Sequence, residues 1–218
     1  TIVFTSPVTI QSYAANGNID IDGALSTTGS NSISIFAGEA FLMNATGSIT
    51  TVSGDITIYG NDDGAGARID SSMSNPYTTG FSIESGGLLT TTSGAMDLRG
   101  GGEDGGDDRY GINVDGTISS TGTGGSVGAI TLVGTAFYDQ SDSHYGIDVD
   151  GTISVVDADL TLTGTGGDAG SSFGLNIQGT VTSTGTGGNA GTITLDGTAT
   201  NSGSSADGVR IDGGTVRS

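Results

Sequence analysis

The sequence predicts an all-β fold: a right-handed parallel β-helix, or β-solenoid, with about three short strands per coil and roughly seven coils, spread as a single segment over residues 1–218. Three observations carry that prediction. First, "YGINVDGTISSTGTGG" at 110–125 returns as "FGLNIQGTVTSTGTGG" at 173–188, and laying Tyr110–His144 over Phe173–Asp207 gives two 35-residue blocks with 18 identities. Second, short stretches alternate apolar and polar residues with the period of a half-buried strand. Third, the anchor glycines Gly23, Gly47, Gly86, Gly116, Gly151, Gly179 and Gly213 recur at intervals of 24 to 39 residues, the length of one solenoid lap with variable loops.

The first strand of each lap is read in "GNIDIDG" (17–23), "GFSIESG" (80–86), "GINVDG" (111–116), "GIDVDG" (146–151), "GLNIQG" (174–179) and "GVRIDG" (208–213). The closing glycine of each phrase makes a turn that a Cβ would obstruct. A second short strand follows, centred on Leu25, Leu89, Ile118, Ile153, Val181 and Val216. The third is "SISIF" (32–36), "DITIY" (55–59), "AMDLR" (95–99), "AITLV" (129–133), "DLTLT" (159–163) and "TITLD" (192–196). Almost no helix is expected, because nothing repeats with the 3.6-residue period, and a sandwich or barrel would show hairpins rather than a three-strand unit.

Stacked coils explain the repetition. Equivalent positions lie about 4.8 Å apart, so each inward column must be apolar throughout. Ile112, Ile147, Leu175 and Val209 form one such column, and Val114, Val149, Ile177 and Ile211 the next. Tyr110, Tyr145 and Phe173 are expected to stack as an aromatic ladder at one corner. The three "TGTGG" stretches at 121–125, 163–167 and 184–188 read as loops. None precedes a helix or carries the Lys-Ser/Thr of a phosphate loop.

Composition narrows the function. With 42 glycines but no Gly-X-Y period, and only two prolines, the chain is not collagenous. Five arginines and no lysine stand against 24 acidic residues, a net charge of −19, so nucleic acid is not an expected partner. The plain reading of that charge is solubility. Cysteine is absent, which removes disulfides and thiolate metal sites. No apolar run is long enough to span a membrane, so membrane insertion is not expected. The opening "TIVFTSPVTI" lacks signal-peptide features, and the chain reads as a piece of something longer.

"GGNAGTITLDGTA" (187–199) and "GGSVGAITLVGTA" (124–136), with "VFTSPVTI" and "ITTVSGDITIYG", resemble the repeat regions of filamentous haemagglutinin-type exoproteins and giant bacterial β-strand-repeat surface proteins. The resemblance spans most of the chain. It implies an exported rod or fibre on the bacterial cell surface that serves adhesion, biofilm contact or matrix assembly. The family's amino-terminal secretion domain is not recognisable here.

Candidate chemistry lies on outward columns. Asp115 and Asp150 are expected on adjacent coils, followed by Gln178 and Asp212, beside a column of Asn113, Asp148, Asn176 and Arg210. Stacked carboxylates repel. Asparagine or arginine relieves the second column, whereas the Asp115–Asp150 pair is left for a cation to bridge. Calcium is the natural candidate, as a hard ion that takes oxygen ligands. Two acidic turns extend that expectation: Glu103, Asp104, Asp107 and Asp108 in "GGGEDGGDDR", and Asp62 and Asp63 in "YGNDDGAG". Neither turn matches a complete calcium-repeat or EF-hand pattern.

An enzyme is not expected, since acids are scattered and no nucleophile motif accompanies the single histidine, His144, read as a solvated loop residue. A polysaccharide lyase or hydrolase remains the alternative, with an ice-binding solenoid behind it because the outward Thr-x-Thr pattern reads as irregular. The expected role is an extracellular structural fibre or adhesin stalk that self-associates into a filament, with a cell-surface or polysaccharide partner.

Overall fold

A computed structural model describes residues 1–12, 17–61, 79–102, 109–124, 127–136, 143–167, 171–186, 190–200 and 205–218. All regular structure among these residues is β. Three parallel sheets form, and successive strands of the chain move from one sheet to the next, so that three strands complete one lap. The first sheet stacks seven strands: Ile19–Ile21, Phe41–Met43, Thr79–Ile83, Arg109–Val114, Ser143–Val149, Ser171–Ile177 and Ser205–Ile211. The second holds eight, from Ile2–Phe4 through Thr117–Ser120 to Thr215–Arg217, and the third holds seven, from Val8–Ser12 through Ile130–Ala136 to Ile193–Ala199. This is a parallel β-solenoid of roughly seven coils, as the repeat predicts.

The register pairs Ile112 with Ile147, Ile147 with Leu175 and Leu175 with Val209, and it extends the column downward to Phe81, Phe41 and Ile19. The second sheet contributes Leu25, Ile49, Leu89, Ile118, Ile153 and Val181, all buried. The third contributes Ile33, Ile56, Met96, Ile130 and Leu160, with Ile35, Ile58, Leu98, Leu132 and Leu162 two residues on. Columns this uniform let each coil bury its apolar face only against its neighbours, which is what a solenoid needs.

Two strands of the lap that ends in "DITIY" escape the sequence pattern. The strands Phe41–Met43 and Ser48–Thr51 form the second coil, around the anchor Gly47. Its first strand, "FLM", is apolar at all three positions and so shows no alternation. The strands also run past the predicted limits where the third sheet meets the first. There, "GTGG" of the 163–167 stretch belongs largely to the strand Leu160–Gly166, not to a loop. Gly134, Gly164 and Gly197 stack in register on the third sheet, facing Gly146, Gly174 and Gly208 of the first. A Cβ on Gly134, Gly164 or Gly197 would sit inside 3.0 Å of the facing carbonyl oxygen. The two sheets therefore close to backbone contact, a thin wedge along one edge of the solenoid.

The opposite corner, between the second and third sheets, is closed by buried hydroxyls. Thr51 donates to Gly54 O at 2.6 Å, Thr91 accepts from Gly94 N at 2.9 Å, and the two hydroxyls lie 3.0 Å apart. Ser183 donates to Ala158 O at 3.2 Å in a later coil. These positions point into the solenoid, and where the hydroxyl bonds a turn group its loss would leave that group unpaired, whereas the buried Val155 takes the same place in one coil and the Ser120 hydroxyl has no partner.

Candidate functional site

The turn after each first-sheet strand is fixed to the coil below by its backbone. Asp115 N and Gly116 N both donate to Ile83 O at 2.9 and 3.0 Å, and Asp150 N and Gly151 N both donate to Val114 O at 3.0 and 2.7 Å. Gln178 N and Asp212 N repeat the bond to Val149 O and Ile177 O. The expected column is therefore present: Asp115, Asp150, Gln178 and Asp212 on successive coils. The same bond from Glu84 N to Met43 O, at 2.9 Å, adds a carboxylate that the sequence reading did not single out. Glu84, Asp115 and Asp150 are thus consecutive. The signal was available in "GFSIESG", where Glu84 occupies the place of Asp115.

The neighbouring column also matches its expected order, Asn113, Asp148, Asn176 and Arg210. Asp148 is 6% exposed and accepts from Asn176 Nδ2 at 2.7 Å. Burial pushes its carboxyl up to about 6 against the opposing Asn176 hydrogen bond, and the charges of Asp150 and Asp115 push the same way. Asn113 Nδ2 donates to Asp115 Oδ2 at 3.3 Å, and Arg210 pairs with Asp212 while lying 5.1 Å over the Phe173 ring. Asn113, Asn176 and Arg210 each engage a carboxylate on this face, and Asp150 stands exposed at its rim.

Among the described residues, no three His, Cys, Asp or Glu side chains are grouped to hold a metal ion. Asp115 and Asp150 supply two carboxylates, short of the six to eight oxygen ligands calcium takes, unless water and further groups complete the shell. Glu103, Asp104, Asp107, Asp108, Asp62 and Asp63 lie outside the described residues.

The aromatic ladder is present but sits on the strands of the first sheet instead of at a turn. Tyr110 and Tyr145 stack at 5.0 Å and 8°, and Tyr145 and Phe173 at 5.4 Å and 19°. Stacked face on face, the rings present edges to a partner. His144 requires a correction: it is not a solvated loop residue but a buried one in the strand Ser143–Val149, in register with the buried Arg109 and Ser172. The polar run "YDQSDSHY" hid that strand, because its pairing continues outward beyond the apolar alternation.

The outward pattern of the third sheet is irregular over its earlier strands, which carry Ser34, Phe36, Tyr59, Asp97 and Arg99, but its last three strands carry an order. In the proper frame, Thr131, Thr161 and Thr194 form one column and Thr135, Thr165 and Thr198 another. Thr163 stands between them, in a middle column with Val133 and Asp196. Seven of nine adjacent outward positions are threonine. The repeating frame is I/L-T-L-x-G-T, which places both threonines outward.

No protein-family model, curated protein or solved structure matches the chain.

Proposed function

We propose that this chain is a length of an extracellular structural fibre or adhesin stalk, of the kind that filamentous haemagglutinin-type proteins form on bacterial surfaces. The observation that carries the reading is the unbroken register of three parallel sheets over about seven coils, with the same apolar columns running through them. Such a ladder is a rod by construction, about 30 to 35 Å long at roughly 4.8 Å per coil. Its growth by further coils, of the same polypeptide or of another copy, needs no new interaction type. The high negative charge keeps a rod with many exposed hydroxyls in solution and away from other anionic surfaces.

Sedimentation velocity across a concentration series tests the assembly. Species of increasing mass and constant cross-section are expected, whereas one compact species at every concentration would refute self-association. Calcium joins this proposal as an ion acting at the acidic turns and at the Asp115–Asp150 pair. A second reading, recognition of a flat crystalline surface such as ice, draws on the seven-threonine block of the third sheet. Thermal hysteresis that Thr163→Lys abolishes would promote it over the stalk.

A further inference from the structure

The geometry points to a binding site for one ring of a neutral saccharide on the outer face of the third sheet, in a pocket of about 190 Å³ lined by Tyr59, Gly60, Asn61, Arg99, Gly100, Val133 and Thr135. The inference deepens the adhesin reading by naming the chemical class of partner and the place on the rod that meets it.

The pocket arises from the register. Tyr59, Arg99 and Val133 stack on adjacent coils, and Gly101 pairs with Thr135. Where the next coil has a threonine, Gly101 has no side chain, and the surface is dented between Asn61 and Thr135. The walls are held fixed. Asp97 accepts from Tyr59 Oη at 2.7 Å and from Arg99 Nε and Nη2 at 3.0 Å each, and the guanidinium lies 4.9 Å over the Tyr59 ring. Phe36 packs edge-on against the same ring at 5.4 Å. A site ordered before binding loses little entropy when it is filled.

The unusual group is Asn61. It is 2% exposed, has φ of 61°, and donates from Nδ2 to Gly101 O at 3.3 Å, while its Oδ1 has no hydrogen-bond partner. A buried acceptor left unpaired costs about 1–3 kcal/mol, and a ligand donor would recover that. Three properties select the donor's class. Asp97 already neutralises Arg99, so a phosphate or sulfate gains little from it, and the net charge of −19 repels polyanions. Val133, Gly60, Gly100 and the accessible part of Tyr59 offer apolar contact to C–H groups. The Thr135 hydroxyl and the guanidinium edge offer the mixed acceptor and donors that a ring of hydroxyls matches, and the buried Asn61 Oδ1 becomes a further acceptor once its side chain turns toward the ligand. The volume is below the roughly 300–1,000 Å³ of drug-sized pockets, which suits one ring of a longer chain.

The test is an amide NMR titration of the whole chain with cellohexaose, maltohexaose and mannohexaose, and with hexagalacturonate as the acidic comparator. At least one neutral hexasaccharide is expected to shift the amides of Gly60, Asn61, Gly100 and Thr135 at millimolar concentration. Asn61→Gly, which keeps a backbone suited to positive φ, should weaken that binding about tenfold, read at a temperature where the variant is folded because its bond to Gly101 O is also lost. Thr135→Val provides a second variant with unchanged shape and the same expected direction. The site is overturned if none of the neutral sugars shifts those amides, if both variants bind normally, or if hexagalacturonate binds most tightly. A chain that sediments as growing rods but binds no sugar loses this site and keeps the stalk reading, and the converse result separates them in the other direction.

Discussion

The solenoid turns from the second sheet to the third over a column of buried hydroxyls that Val155 interrupts, and, from Gly60 onward, from the third to the first through a wedge of facing glycines. At the first corner, Thr51, Thr91 and Ser183 fill space and saturate turn carbonyls and amides. At the second, Gly134, Gly164 and Gly197 remove side chains altogether, so that backbone meets backbone. The difference teaches that shape and hydrogen bonding are separate demands on a solenoid corner. A hydroxyl can be exchanged at the cost of one bond, whereas a wedge glycine has no substitute.

The largest effect should follow from Gly164→Val. Its Cβ would fall inside 3.0 Å of the Gly174 carbonyl and its branches against Leu175, neither able to move without opening the sheets. A loss of more than about 4 kcal/mol, or failure to fold, is expected in urea unfolding. Gly23→Ala is the matched control: nothing lies within 4 Å of its Cβ, and a change within about 0.5 kcal/mol is expected. At the hydroxyl corner, Thr91→Val should cost about 1–3 kcal/mol, because it strands Gly94 N without filling new space, while the Thr51 hydroxyl keeps its bond to Gly54 O. Equal losses for Gly164→Val and Thr91→Val would dissolve the distinction.

A subtler effect concerns the outward face of the first sheet. The folded carboxyl of Asp148 titrates near 6, above its ordinary value of 3.8, so the native state holds its proton more firmly than the unfolded chain does. Its contribution is therefore fully present below about pH 4 and is lost as pH rises toward about 6, by up to roughly 3 kcal/mol. Asp148→Asn should remove that slope and raise Tm at neutral pH, extending the amide run from Asn113 to Asn176. A wild-type Tm that does not fall between those pH values would contradict the assignment. Smallest is the Asp115→Asn/Asp150→Asn pair, which relieves repulsion at an exposed rim. It should leave stability in chelator unchanged or slightly raised and reduce any calcium-dependent rise in Tm. An undiminished calcium response would place the ion elsewhere.

What could be read in advance follows from which forces are periodic. The coils, the inward columns and the Asp115–Asp150 stack were legible because every lap must place like residues at like heights. Glu84 was missed only because its lap lacks the Asp-Gly signature, and Ser48–Thr51 because its coil begins with "FLM", which does not alternate. The wedge and the buried strand around His144 were not legible, since glycine and polar residues there serve contacts between sheets, and sequence alternation reports only the two faces of one sheet. The pocket at Asn61 depends on an absent side chain at Gly101 in one coil beside Thr135 in the next, a juxtaposition that only the register reveals.

The stalk reading is tested most directly by cryo-electron microscopy of the assembled material with and without a calcium chelator. Thin fibres whose power spectra show an axial repeat near 4.8 Å are expected, with lateral or end-to-end order lost on chelation if the acidic turns join them. Isolated compact particles with no axial repeat under either condition would contradict the account.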